Sequence, residues 1–131
     1  MYELKIVTQF AAAHQLRMVA EKCENLHGHN WKVEVFVRGE SLDPAAGILM
    51  DFGELKKHVG AVVNRLDHKF LNENGIFGDG FPPSSENIAR YIAEALQQEI
   101  QDEGVWVSRV SAWESENACA TYIPANNEPQ P

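Results

Sequence analysis

The stretch Cys23-Glu24-Asn25-Leu26-His27-Gly28-His29 constrains this chain more than any other, because it runs directly into the alternating segment Asn30-Trp31-Lys32-Val33-Glu34-Val35. Successive side chains of a strand point to opposite faces, so His27 and His29 share a face one strand repeat apart. Gly28 between them keeps the opposite face free of bulk. Two imidazoles so placed can close on one metal ion, and a third ligand is available in His14, which ends another strand-like stretch, Leu4 to His14. Antiparallel pairing of the two stretches would carry His14 towards His27 and His29. The small Ala11, Ala12 and Ala13 would leave room for a ligand beside the metal. Three neutral histidines leave the fourth tetrahedral position open, as in a catalytic zinc site. If Cys23 also bound, one thiolate and three imidazoles would close the shell and make the site structural. The residues alone leave both arrangements open.

The remaining pattern predicts two strands, two helices and two strands. Tyr2, Leu4 and Ile6 alternate with Glu3 and Lys5, the mark of a half-buried strand over residues 2–14. Residues 15–22 have no period and read as a loop. Over 30–39, Trp31, Val33, Val35 and Val37 share one face, and Lys32, Glu34, Phe36 and Arg38 take the other. Asp51 is an acidic N-cap candidate, and Leu55, Val59, Val62, Val63 and Leu66 follow at helical spacing, predicting a helix from about 52 to 66. His58 lies on the flank of that stripe and reads as a surface residue. Ser84-Ser85-Glu86-Asn87 opens a second helix whose apolar face is Ile88, Tyr91, Ile92, Ala95, Leu96 and Ile100. Strands follow at 105–113 and 118–123, with 114–117 as the turn between them. The expected fold is α+β, a four-stranded antiparallel sheet with both helices on one face. Residues 1–123 form a single domain, and 124–131 are a polar, Pro-rich C-terminal tail.

Charge narrows the partners. The formal net charge of −8 argues against nucleic acid and against an anionic membrane surface, and confines any phosphate binding to a few local Lys and Arg. Lys32, just after the histidine pair, is the first basic candidate. No apolar run approaches the ~18 residues of a membrane span, and Met1-Tyr2-Glu3-Leu4-Lys5 does not read as a signal peptide, so the expected location is the cytoplasm. Two cysteines in such a setting do not suggest a disulfide. Cys119, within Ala118-Cys119-Ala120-Thr121-Tyr122-Ile123, reads as a buried strand residue, whereas Cys23 among Lys22, Glu24 and Asn25 is in a polar setting that leaves a thiol accessible.

A zinc with an open position polarises a substrate oxygen and acidifies neighbouring protons, which calls for a general base nearby. Cys23 is useful in that role if a histidine or metal lowers its pKa from about 8.5. Asp67-His68 is the evident helper, since an Asp can orient an imidazole that exchanges protons with a thiol. The plainer reading of the same pair is a helix C-terminus carrying a favourable histidine. Ser84 and Ser85 before Glu86 also read as ordinary capping. Glu114, at the end of an apolar strand, is either a turn carboxylate or an acceptor for two N–H bonds from a guanidine-like ring edge, as in pterins and guanine.

Phe10-Ala11-Ala12-Ala13-His14, C-E-N-L-H-G-H-N at 23–30, G-I-L-M-D-F-G-E-L-K at 47–56, L-D-H-K-F-L-N-E at 66–73, S-S-E-N at 84–87 and W-E-S at 113–115 occur in that order. Together they resemble the 6-pyruvoyl-tetrahydropterin synthase family, and more narrowly its 6-carboxytetrahydropterin synthase branch from queuosine biosynthesis. The likeness covers roughly residues 2–123, and the three-residue gap between Cys23 and His27 favours the carboxy branch. The resemblance implies the tunnelling fold (T-fold), in which three subunits close a twelve-stranded barrel and two rings stack into a hexamer. It implies that His14, His27 and His29 hold zinc (Zn2+), that Cys23 shuttles protons, and that Asp67 and His68 assist from a neighbouring subunit. It assigns Glu114 to the pterin ring and sets Ser84 and Ser85, where relatives often carry threonine, beside that ring. The implied reaction converts 7,8-dihydroneopterin triphosphate to 6-carboxy-5,6,7,8-tetrahydropterin with release of acetaldehyde and triphosphate. The alternatives are triphosphate elimination without carbon–carbon cleavage, giving a pyruvoyl product, sepiapterin side-chain removal, and a zinc-dependent protein that holds a pterin without turning it over.

Overall fold

A computed structural model of the 131-residue chain describes residues 1–17, 26–102 and 104–125. Cys23 and the tail from 126 onward lie outside the described residues, and so does the side chain of His27. Among the described residues five strands and two α-helices follow one another: β1 (Tyr2–His14), β2 (His27–Gly39), α1 (Phe52–Val63), β3 (Lys69–Phe70), α2 (Ser85–Glu99), β4 (Val105–Ser115) and β5 (Ala118–Tyr122), with a 3-10 turn, Leu71–Glu73, directly after β3. The sheet order is β3-β1-β2-β4-β5. β1, β2, β4 and β5 pair antiparallel, as the alternation predicts, and the two residues of β3 add a short parallel edge against Ala12 and Ala13. A two-residue strand has no period to reveal it, so a sequence reading finds four strands where the sheet has five.

The register puts the core where the sequence pattern points. Phe10 pairs with Trp31, Thr8 with Val33 and Ile6 with Val35, and the residues Trp31, Val33, Val35 and Val37 are fully buried. They meet Leu55, Val59 and Val62 of α1 and Ile88, Ile92 and Leu96 of α2 in one cluster. Each such side chain withdrawn from water contributes about 1.5–3 kcal/mol. The far face of the sheet is polar but not simply solvated. Glu34 and Phe36 are each under a tenth exposed, Arg109 lies over the Phe36 ring at 3.8 Å, and Lys5 Nζ sits 2.7 Å from Glu34.

Caps set the helix starts. Asp51 Oδ2 accepts from the amide of Glu54 at 3.0 Å, and Ser84 Oγ accepts from the amide of Asn87 at 3.1 Å. The first helix stops at Val63, three residues before the apolar stripe does. Beyond it the bonds tighten to i→i+3, from Arg65 to Val62 and from Leu66 to Val63, and the chain turns through His68 at φ 58°. Leu66 therefore stays in the core while the backbone leaves the helix. β4 also runs to Ser115, so Glu114 lies within a strand and not in the turn.

Cys119 corrects an expectation. It is exposed, because β5 is an edge strand and Cys119 pairs with Trp113 on the face away from the helices. Among the described residues no helix is long and apolar enough to cross a membrane.

Candidate metal centre

His14 ends β1, fully buried. Its Nδ1 lies 2.7 Å from the carbonyl oxygen of Pro83, in the loop that leads into α2. A carbonyl only accepts, so Nδ1 carries the hydrogen, and Nε2 is the nitrogen left to face the cluster. The register then brings its neighbours. Ala12 pairs with His29, His14 pairs with the backbone of His27, and Trp31 stands one strand repeat after His29. The rings of His14, His29 and Trp31 meet edge to face, with centroids 5.1 to 5.5 Å apart. Trp31 thereby forms a rigid wall that limits how either imidazole can turn.

Glu114 reaches the same point from β4. Its Oε1 is 2.9 Å from His29 Nε2 and 3.4 Å from His14 Nε2, and its Oε2 is 3.5 Å from Ser85 Oγ. A register irregularity lies between Trp113 and Ser115, so Glu114 is omitted from the ladder with β5. Bulges of this kind re-aim side chains beside functional sites. From the opposite face the Trp113 indole donates to Glu34 at 2.6 Å, which fixes the residue before the irregularity.

One ligand atom from each of His14, His29 and Glu114 lies within 4.8 Å of the others. Two imidazoles and a carboxylate are donors that zinc accepts. A second-shell carbonyl that fixes the tautomer of a ligating histidine is a recurrent feature of zinc sites, and Pro83 supplies it. The donor set therefore fits zinc. The sequence reading placed His14 and His29 here and missed Glu114 as a member of the cluster. The signal available for Trp31 was its parity with His29, whereas the Pro83 carbonyl leaves no trace in side-chain chemistry.

Asp67 and His68 do not join this cluster. They sit at the outer edge of β1, where Asp67 Oδ1 accepts the Ala11 amide at 2.9 Å and the His68 amide donates to Ala11 oxygen at 2.6 Å. Asp67 Oδ2 is 3.0 Å from His68 Nδ1, and the His68 side chain is 82% exposed. The Ala11 hydrogen bond, followed by the contacts with His68, holds the Asp67 carboxyl below its ordinary range, so it is ionised at neutral pH. Ala11, Ala13, Gly28, His29 and Asn30 border the cavity of about 490 Å³ that His68 lines, so His68 and the candidate ligand His29 edge one cavity. A Cβ at Gly28 would come no closer than 3.9 Å to Ala12 oxygen, so glycine there keeps that cavity open without being sterically required. Ser84 is the helix N-cap, while Ser85 and Glu114 line a separate cleft of about 290 Å³ with Ala118, Cys119 and Ala120.

Comparison with known proteins gives the same lineage by three routes. Residues 3–125 match the family described as 6-pyruvoyl tetrahydropterin synthase. The chain is 41% identical over 105 residues to the dihydroneopterin monophosphate aldolase of Pyrococcus furiosus, covering 80% of this chain and 82% of that protein. It is 39% identical over 115 residues to a putative 6-carboxy-5,6,7,8-tetrahydropterin synthase of Archaeoglobus fulgidus, covering 88% and 90%. The solved 6-pyruvoyl tetrahydropterin synthase of Caenorhabditis elegans superimposes with a TM-score of 0.79 at 27% identity, covering 95% of this chain and 96% of that one.

Proposed function

The chain belongs to the 6-pyruvoyl tetrahydropterin synthase family and has its α+β tunnelling fold, and on that premise we propose that it is a 6-carboxy-5,6,7,8-tetrahydropterin synthase. The substrate is 7,8-dihydroneopterin triphosphate, and the products are 6-carboxytetrahydropterin, acetaldehyde and triphosphate, on the route to queuosine and other 7-deazaguanines. The observation that carries the reading is the convergence of His14, His29 and Glu114 on one point beneath Trp31. The ordered motifs and the short gap from Cys23 to His27 support the carboxy branch within the family.

His14, His27 and His29 would hold the zinc. When bound, it supplies a Lewis acid that polarises the hydroxyls of the substrate side chain. Glu114 accepts the N–H pair of the pterin ring edge, with Ser84 and Ser85 of the α2 start beside it, in the cleft that Glu114 shares with Ser85. Cys23 takes and returns the side-chain protons. Asp67, ionised, orients His68 and stabilises its charged form while that imidazole exchanges a proton with the thiol. Residues 1–123 act as one catalytic domain.

Asp67 and His68 lie outside the His14–His29–Glu114 cluster, although His68 and His29 border one cavity, and the sites proposed here are shared between subunits in a hexamer built as a dimer of trimers. His68 stands exposed at the β1 edge, and of that 13-residue strand only Ala12 and Ala13 are paired with β3. A second copy could extend the sheet along the remainder.

The test is product analysis. Zinc-loaded protein with 7,8-dihydroneopterin triphosphate should release acetaldehyde and a carboxy-tetrahydropterin. Triphosphate release with every side-chain carbon retained would move the protein to the pyruvoyl branch. The Pyrococcus furiosus aldolase favours a second reading, in which a monophosphate is cleaved and the phosphate leaves on the departing fragment. Bound zinc with no turnover of either substrate would leave a pterin-holding protein.

A further inference from the structure

Among the described residues the two ladders of β1 reach as far as His14, and Arg17 beyond it is in a β-bridge. β2 pairs as far as His27 with His14, and β3 pairs only with Ala12 and Ala13. The backbone of Gln15 is held at two points by one side chain. Asn72 Oδ1 accepts from the Gln15 amide at 2.9 Å, and Asn72 Nδ2 donates to the Gln15 carbonyl at 2.7 Å. A primary amide presents one acceptor and a donor side by side, so it can pair with both backbone groups of a residue as a neighbouring strand would.

Asn72 is itself well anchored. It lies in the 3-10 turn Leu71–Glu73 that follows β3 directly, and Leu71 beside it is fully buried. The segment from Asp67 to Asn72 therefore runs along the edge of β1 without a break. It bonds Ala11 through Asp67 and the His68 amide, Ala12 and Ala13 through β3, and Gln15 through Asn72. His14 is the residue enclosed by this splint. Its ring is fixed by Pro83, and its main chain by the pairings on either side.

We propose that Asn72 is a positioning residue for the metal centre, holding the main chain beside His14 so that its Nε2 stays convergent with His29. The inference rests on the reading of His14 as a zinc ligand. Asn72 touches neither metal nor substrate. Partners bonded directly to a ligating side chain typically control metal affinity by about 10–100-fold, and Asn72, bonded to the residue after the ligand, is expected at the lower end of that range.

The experiment compares wild type with Asn72→Ala and Asn72→Gln, the second keeping the amide but displacing it by one methylene. Zinc affinity is measured by competition with a chromophoric chelator, Co2+ substitution reports ligand geometry through its visible bands, and a thermal melt of the protein without added metal reports folding. Expected are native-like melts, zinc affinity reduced about 10-fold in Asn72→Ala and by a smaller factor in Asn72→Gln, and shifted Co2+ bands in both. Native-like melts with affinity within twofold of wild type and unchanged Co2+ bands would overturn the proposal. So would a loss of melting cooperativity in both variants, which would make Asn72 a general structural tie. Wild type that fails to bind zinc or Co2+ would overturn the metal reading along with it, a result distinct from equal binding by all three proteins.

Discussion

His14 Nδ1 and the carbonyl oxygen of Pro83 stand 2.7 Å apart, so the last residue of one strand is tied to the loop that starts the second helix. Removing that imidazole takes away a buried ring and its hydrogen bond together. His14→Ala should lose zinc and cost about 2–4 kcal/mol of stability. His29, whose side chain is 22% exposed, should lose zinc equally in His29→Ala at a cost under about 2 kcal/mol. Metal analysis and urea melts of the two variants check the contrast.

Glu114 touches both imidazoles and is proposed to hold the pterin ring, and a neutral isostere separates those duties. Glu114→Gln should retain zinc while pterin affinity falls about 10–150-fold, the loss of a charge-assisted pair of hydrogen bonds. Fluorescence titration with a pterin and metal analysis of the same samples decide it. Loss of zinc with pterin affinity intact would make Glu114 a ligand and not a ring anchor.

His68 occupies the left-handed region at φ 58°, a conformation that costs a side-chain-bearing residue about 1–2 kcal/mol and glycine little. His68→Gly relieves that strain but gains unfolded-chain entropy worth about 0.4–1 kcal/mol, so stability should stay level or rise slightly. Turnover should fall by about 10²–10⁴-fold. A histidine serving only as a helix terminus would leave turnover unchanged.

Cys23→Ala separates a catalytic thiol from a fourth ligand. On the catalytic reading zinc and fold persist and turnover collapses. Release of zinc with cooperative unfolding would instead assign Cys23 to a closed structural shell. Thermal melts with and without chelator distinguish the two.

The far face of the sheet carries a pH-dependent contribution. Glu34 is held below the ordinary glutamate range by the hydrogen bond from Lys5, with burial opposing and the Trp113 indole adding to the effect. A depressed carboxyl stabilises the fold fully above its unfolded pKa, about 4.3, and loses that contribution as pH falls through the lower folded value. Glu34→Ala should therefore destabilise at pH ~7 by about 1–3 kcal/mol and flatten the decline in stability below pH ~4.3. Urea melts from pH ~3 to ~7 measure both. An unchanged acid limb would show that Glu34 is not among the groups that set it.

Strands and helices were legible because their burial periods are long. Tyr2–His14 and His27–Gly39 each carry thirteen residues, and α2 carries fifteen. The candidate ligands His14 and His29 were legible as neighbours for the same reason, since the β1–β2 register sets Ala12 opposite His29 and His14 opposite His27. Cys119 was misjudged because an apolar run does not reveal that its strand lies at a sheet edge. The clamp of Asn72 on Gln15 and the Pro83 carbonyl were illegible, because each depends on contacts 57 and 69 residues apart in the chain. Bonds of that separation are consequences of the finished fold and have no local pattern.

The splint from Asp67 to Asn72 also has a bearing on how separate sites communicate. One end carries Asp67 and His68, the acid–base pair proposed above, at the edge of β1, and the other holds the backbone beside His14, a candidate metal ligand of the same chain. On the shared-site reading these ends serve two different catalytic centres. A shift of His14 on loading one centre would then be transmitted along six residues to the proton-transfer machinery of the next. Such an arrangement gives the ring a mechanical route to cooperativity, in which occupancy of one centre tunes the readiness of its neighbour without any ligand bridging them.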